Sequence, residues 1–204
     1  MFIAKDNRNT DPVEIKEFIK ANSFAILVTQ YEGKPWATHI PLELDLDNEG
    51  NEVLNGHISR GNPQWKEFNS ESPVLAIFNG PNAYISSSWY DHENVPTWNY
   101  VAVHVYGKIR IVEGTELLNI LKNQVDKHER TSAHPISVER MNQDFVATEM
   151  KGIVGIQIKI GEVQASYKLS QNRDEKNHEN IIKELEKRGD VHSMNIAKLM
   201  KSKR

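Results

Sequence analysis

The chain has 204 residues, 25 Lys and Arg against 28 Asp and Glu, and a mean hydropathy of −0.59. It contains no cysteine, which excludes a disulfide framework, thiolate metal sites, iron–sulfur clusters and a cysteine nucleophile. The formal charge of −3 argues against broad electrostatic capture of nucleic acid, and no stretch approaches the ~18 apolar residues of a membrane span. Four of the 25 basic side chains, Lys198, Lys201, Lys203 and Arg204, sit at the very end, so the rest of the chain lies near −7. The N-terminal stretch has no apolar h-region, and a cytoplasmic location is the expectation.

Residues 11–22 read as a helix, with Asp11 as cap, Pro12 in the first turn and Glu14 at capping-box spacing. Residues 24–31 form an apolar run too short for a typical helix and predict a buried strand. After a turn at Glu32-Gly33-Lys34, residues 36–46 predict one strand alternating at Ile40, Leu42, Leu44 and Leu46. A hairpin loop at 47–51 leads into a strand at 52–58. Asn62 and Pro63 open a short helix to residue 69. Strands are expected at 74–78 and 83–86, separated by the breakers Asn79-Gly80-Pro81-Asn82. Residues 87–97 read as a loop and 98–112 as a long strand. Helices follow at 116–128 and 138–148, then a strand at 153–160 and two short helices between 178 and 200. Strands with turn signals and peripheral helices predict a mainly β, largely antiparallel barrel or curved sheet. The expectation is a single domain over residues 1–204 with a helical appendage from about 178.

Three segments carry chemistry. Gly56-His57-Ile58-Ser59-Arg60-Gly61-Asn62-Pro63 spans a strand end and a helix start. Arg60, the Ser59 hydroxyl and unpaired N–H groups there suit a phosphate, although an ordinary strand–helix connection has the same composition. Residues 84–106 hold six of the 16 aromatics, including Trp98 and Tyr100. They read either as a surface for a planar ligand or a partner subunit, or as a cap on the barrel mouth. In Thr38-His39-Ile40-Pro41, the proline interrupts a strand ladder and leaves backbone groups free for a heterocycle, or simply marks a bulge. No HExxH, GxSxG, Walker A or GxGxxG pattern is present, and no metal site is expected. A helix-turn-helix with Gly189 as the turn glycine would need apolar residues where Glu184, Arg188, Asp190, Asn195 and Lys198 stand. The two C-terminal helices therefore read as a docked hairpin.

The runs GHISRGNPQW, GP-x-AYIS…WY, VPTWNYVAVHVYG and KGIVGIQIKI…YKLSQNR resemble the PaiB family nearly end to end. These are FMN-binding split-barrel proteins described as negative transcriptional regulators. The chain departs from the family pattern at Ala4, Asn7 and Arg8, at Ser59, and at Ala165-Ser166. The resemblance implies a split β-barrel of the pyridoxamine-phosphate-oxidase kind and a homodimer with FMN at the subunit interface. It implies that Thr38, His39, Ile40 and Pro41 line the isoalloxazine edge, and that His57, Ser59, Arg60 and Asn62 lie near the ribityl phosphate. Trp98, Asn99 and Tyr100 would join the pocket, and Lys168, Ser170, Gln171 and Asn172 would sit at the interface or the ligand. The function implied is regulation through FMN binding, indirect because the chain's charge is not arranged to read DNA. The alternatives are a flavin-dependent oxidoreductase and, more remotely, a heme-binding or cofactor-free barrel.

Overall fold

The computed structural model describes residues 1–69 and 71–203. Among these described residues are eight strands: β1 (Arg8–Asn9), β2 (Phe24–Tyr31), β3 (Lys34–Pro41), β4 (Glu43–Leu46), β5 (Glu52–Ser59), β6 (Pro73–Ile85), β7 (Thr97–Val112) and β8 (Ile153–Lys168). Five α-helices accompany them: α1 (Pro12–Ala21), α2 (Gly114–Glu129), α3 (Gln143–Met150), α4 (Glu175–Arg188) and α5 (Val191–Ser202). The hydrogen-bonded strand order is β3-β2-β6-β7-β8-β5-β4, with β1 added to β8. All the pairings with a defined register are antiparallel. The order does not close on itself, and β3 and β4 end it.

The chain forms two compact units, and β6, β7 and β8 contribute residues to both. One unit holds residues 19–77 and 105–163. Its core is the inward stripe of strand positions Leu27, Leu54, Ile109, Ile156 and Ile158 together with Leu42 between β3 and β4, all fully buried. The end of β3 runs tightly over β5. A Cβ at Gly56 would stand 2.7 Å from the Pro41 carbonyl oxygen, so only glycine allows this approach. α2 packs on the opposite face, where a Cβ at Gly155 of β8 would stand 2.6 Å from Leu117.

The other unit holds residues 1–18, 78–104 and 164–204. Its core joins Ile85, Val103 and Leu169 to Ile181 and Leu185 of α4 and Ile196 and Met200 of α5. Asp174 and Asp190 cap α4 and α5 by accepting from the backbone N–H groups of Asn177 and Ser193. The two helices form the expected hairpin around Gly189. Arg188, Asp190, Asn195 and Lys198 are exposed and Glu184 half-buried, so the five tested positions form no apolar core.

The sequence reading needs four corrections. The single strand expected over 36–46 is two strands broken at Leu42, because β3 pairs with β2 whereas β4 pairs with β5. Leu46 is consequently 61% exposed rather than buried. The breakers at 79–82 lie inside one continuous β6. Gly80 is there for packing, since a Cβ would come 2.6 Å from the Phe18 ring. The helix expected over 138–148 is a 3-10 turn at Val138–Arg140 followed by α3, which Asn142 caps. The last strand runs on to Lys168, past Gly161.

Candidate functional site

The unit built from 19–77 and 105–163 carries the strand–helix junction. Pro63–Glu67 is a 3-10 helix, and Asn62 caps it by accepting from Gln64 N at 3.1 Å. Pro63 fixes the entry and loses no hydrogen bond, because the first N–H groups of a helix have no partner in any case. The cap turns Gln64 inward, where it is fully buried. Gln64 is a hub. Its Oε1 accepts from the Thr38 hydroxyl at 2.6 Å, and its Nε2 donates to Thr29 Oγ1 at 2.8 Å. Asn62 Nδ2 donates to Thr38 Oγ1 at 2.8 Å, which closes a network tying β2 and β3 to the junction. Thr38 and Asn62, singled out from sequence, are therefore brought together. Gln64 and Thr29 were not singled out.

Arg60 is held by the turn leading into β8, where Ile153 pairs with Ser59. Its Nε donates to Lys151 O and its Nη2 to Ile153 O, both at 2.8 Å, and its backbone N–H donates to Gly152 O. The guanidinium also lies 5.6 Å over the Trp65 ring. Its Nη1 donates no hydrogen bond among the described residues. The result is an exposed, pre-oriented cation with a free face, next to the exposed Ser59 hydroxyl, which accepts from Gly61 N at 3.2 Å. β3 ends the strand order, so its outer backbone groups have no strand partner among the described residues. On that strand His39 is exposed and stacks on Phe24 with centroids 6.3 Å apart, whereas Ile40 is buried in the core. Pro41 is half-buried against Gly56.

His57 goes elsewhere. Its ring lines a separate cavity between β5, α2 and α3, and none of the Thr38, Asn62 or Gln64 side chains borders it. Burial pushes its pKa below the ordinary value, against a smaller opposing effect of Gln124.

The other unit holds the remaining sequence candidates, and most are engaged by neighbours in that unit. Lys168 Nζ donates to Thr97 Oγ1 at 2.5 Å. Buried Asn99 exchanges hydrogen bonds with Ser170 at 3.0 and 3.1 Å. Ser170 adopts a left-handed backbone, φ 60°, unusual for a residue with a side chain, and its hydroxyl is fixed by that pairing. Gln171 accepts from Leu169 N and donates to Tyr167 O, locking the turn. The Tyr100 hydroxyl accepts from Ser166, and Asn172 is exposed. Trp98 is 54% exposed and meets Tyr84 edge to face. The PTWNY and KLSQN segments are thus one interlocked structure. The 86–97 loop is stapled to α4 by Asn177, whose Nδ2 donates to Asp91 Oδ1 and whose Oδ1 accepts from Asp91 N. Hydrogen bonds from Lys176, Asn177 and His92 hold the Asp91 carboxyl well below the usual range.

An open, mainly antiparallel sheet of this order with peripheral helices is the split-barrel fold of flavin-binding proteins. A FAD and heme binding protein from Mycobacterium smegmatis aligns over 84% of this chain and 78% of its own, with TM-score 0.62 and 14% identity. The flavocytochrome Anf3 from Azotobacter vinelandii aligns over 84% and 74%, with TM-score 0.60 and 15% identity. Residues 1–162 match the family model FMN_bind_2, "Putative FMN-binding domain". The "Protease synthase and sporulation protein PAI 2" of Bacillus subtilis (strain 168) is 43% identical over 203 residues, covering all of this chain and 98% of that one. The chain belongs to this FMN-binding family, and within it to the PaiB proteins.

FMN is the cofactor of the family, and the residues present fit it. The phosphate needs fixed cationic and hydroxyl donors, which Arg60 Nη1 and Ser59 offer at a helix start. The flavin ring edge needs backbone donors and acceptors, which the free edge of β3 offers. No helix among the described residues is long and apolar enough to cross a membrane.

Proposed function

We propose that the protein is a homodimeric FMN-binding protein that influences transcription indirectly, without reading DNA itself. The observation that carries the FMN site is Arg60, anchored by two carbonyls and left with an unused Nη1. In this reading Arg60, Ser59 and Asn62 hold the phosphate, and Thr38, His39, Ile40 and Pro41 border the ring. The Gln64 network keeps Thr38 and Asn62 in place and so positions both groups. Exposed Trp98 suits contact with a second copy. Asn99, Lys168 and Ser170 are engaged with their own unit and organise the face on which Trp98 stands. When bound, FMN supplies one- and two-electron redox chemistry that a chain without cysteine lacks.

Two observations support an indirect role. The tested α4–α5 positions are polar and build no recognition-helix core. Two of the basic tail side chains are also engaged within their own unit, Lys201 with Glu186 and Lys203 with Glu14. The test combines an absorption spectrum of the FMN-titrated protein with light scattering and promoter-DNA titration. Flavin bands on a dimer with no DNA affinity at physiological salt are expected. Tight promoter binding with a steep salt slope overturns the indirect role, and a monomer that saturates with FMN overturns the dimer.

A further inference from the structure

A row of polar side chains crosses β4, β5, β8 and β7 in the unit built from 19–77 and 105–163. Asn55 of β5 and Gln157 of β8 are register partners and are only 7% and 8% exposed. Asparagine is depleted in strands, and a pair of apolar residues of similar shape would be about as stable, so stability alone does not call for these two amides. Arg110 Nε donates to Gln157 Oε1 at 3.0 Å, Gln157 Nε2 to Asn55 Oδ1 at 3.1 Å, and Asn55 Nδ2 to Asp45 Oδ2 at 3.3 Å. A guanidinium can only donate and a carboxylate only accept, so both amides are held in one orientation. Each keeps one N–H that no hydrogen bond among the described residues takes. The row lines a groove of about 530 Å³, a volume typical of small-molecule sites. Asn48 of the β4–β5 hairpin and Asn119 and Asn123 of α2 line it as well, all three exposed. The Asn48 and Asn119 side chains make no hydrogen bond among the described residues.

The charged groups of the lining are already engaged. Glu116 is held by both Nη atoms of Arg110, and both oxygens of Asp47 accept from Asn51. Asp45 accepts from Leu46 N, Asn55 and Asn123. The capacity left over belongs to five carboxamides, which donate and accept without charge. Three carboxylates against one guanidinium repel an anion, and a cation finds no unpaired carboxylate. No aromatic side chain lines the groove to stack a planar base. We propose that this groove binds a neutral, hydroxyl-rich ring of hexose size, a sugar or cyclic polyol. Its hydroxyls pair with the amides of Asn55, Gln157, Asn48 and Asn119, and its C–H face lies on Leu46, which is 61% exposed at the groove. Each hydroxyl both donates and accepts, which is what a carboxamide offers in return. None of the flavin candidates borders the groove, so its occupation does not depend on FMN.

The probe is methyl α-glucoside, which has no anomeric mixture, followed through the side-chain amide resonances of Asn55 and Gln157 in the full-length protein. Cyclohexanol, with a single hydroxyl, and glucose 6-phosphate, which adds negative charge, are the comparators. Saturable shifts are expected with the glucoside and none with either comparator. Asn119→Ala and Asn48→Ala, at exposed positions with no internal partner to lose, should keep the wild-type melting temperature. Each should weaken the glucoside about two- to tenfold, the worth of one net neutral hydrogen bond. Unmoved amide resonances at ~100 mM glucoside, equal binding of cyclohexanol or of glucose 6-phosphate, or an unchanged affinity in both variants would each overturn the proposal.

Discussion

Replacing Arg60 separates the two parts the side chain plays. In Arg60→Ala the chain loses the bonds to Lys151 O and Ile153 O and the packing on Trp65. At an exposed site these are worth about 1–3 kcal/mol together, so the melting temperature should fall by roughly 2 to 12 °C for a chain of this size. The same change removes a charge-assisted phosphate contact worth about 1.5–3 kcal/mol, which is roughly 10- to 150-fold in FMN affinity. Riboflavin has the ring without the phosphate and isolates the second effect. Quenching of flavin fluorescence should show FMN weakened by that factor in Arg60→Ala and riboflavin nearly unchanged. Arg60→Lys keeps the charge, but an ammonium cannot span both carbonyls as the planar fork does, so it should fall between wild type and Ala. If FMN and riboflavin weaken equally, Arg60 is only a strut for the 151–153 turn, and the phosphate assignment is refuted.

Other outcomes follow from buried hydrogen bonds and titrating groups. Gln64→Leu removes the donor to the Thr29 hydroxyl and the acceptor of the Thr38 hydroxyl, which keeps only its bond from Asn62, and should cost about 1–3 kcal/mol in denaturant unfolding; an unchanged midpoint would show that the hub is not needed. Asn177→Ala removes two of the bonds between Asp91 and α4, leaves the Lys176–Asp91 ion pair, and should raise the rate of limited proteolysis in the 86–97 loop, whereas an unaltered cleavage pattern would show the Asn177 staple to be idle. Burial lowers the pKa values of His57 and His104 from 6.5, aided at His104 by the charged N-terminus. The folded state therefore prefers neutral imidazoles and unfolding takes up protons. This stability is present above about pH 6.5 and is lost progressively below it, as the pH falls through the lowered folded-state values. His57→Gln should flatten the decline in unfolding midpoint between about pH 6.5 and 5 relative to wild type, and an identical slope would contradict the assignment.

Local pattern served well where one residue type fixed one structure. The run at 24–31 is β2 to the residue, and Asn62-Pro63 caps its helix as read. It failed where a distant partner decides. Pro41 signals an interruption, but nothing near it says that the chain then leaves β2 for β5. Gly80 looks like a breaker until Phe18 is seen against it. The site shows the same division. Arg60 and Ser59 stand out by chemistry, but the groups that hold Arg60 are backbone carbonyls some ninety residues away and carry no side-chain signal. The PTWNY and KLSQN motifs were legible as landmarks. Their mutual hydrogen bonds, which account for Asn99 and Ser170 as structural mates, were not. His57 lies in the same motif as Arg60 but its strand position turns it toward α2 and α3.

The most direct test of the flavin assignment is titration of flavin-stripped protein with FMN, followed by fluorescence quenching with the chain concentration well above Kd. The account predicts saturation at one FMN per chain. Quenching that never saturates, or that is absent up to ~100 µM FMN, would contradict it.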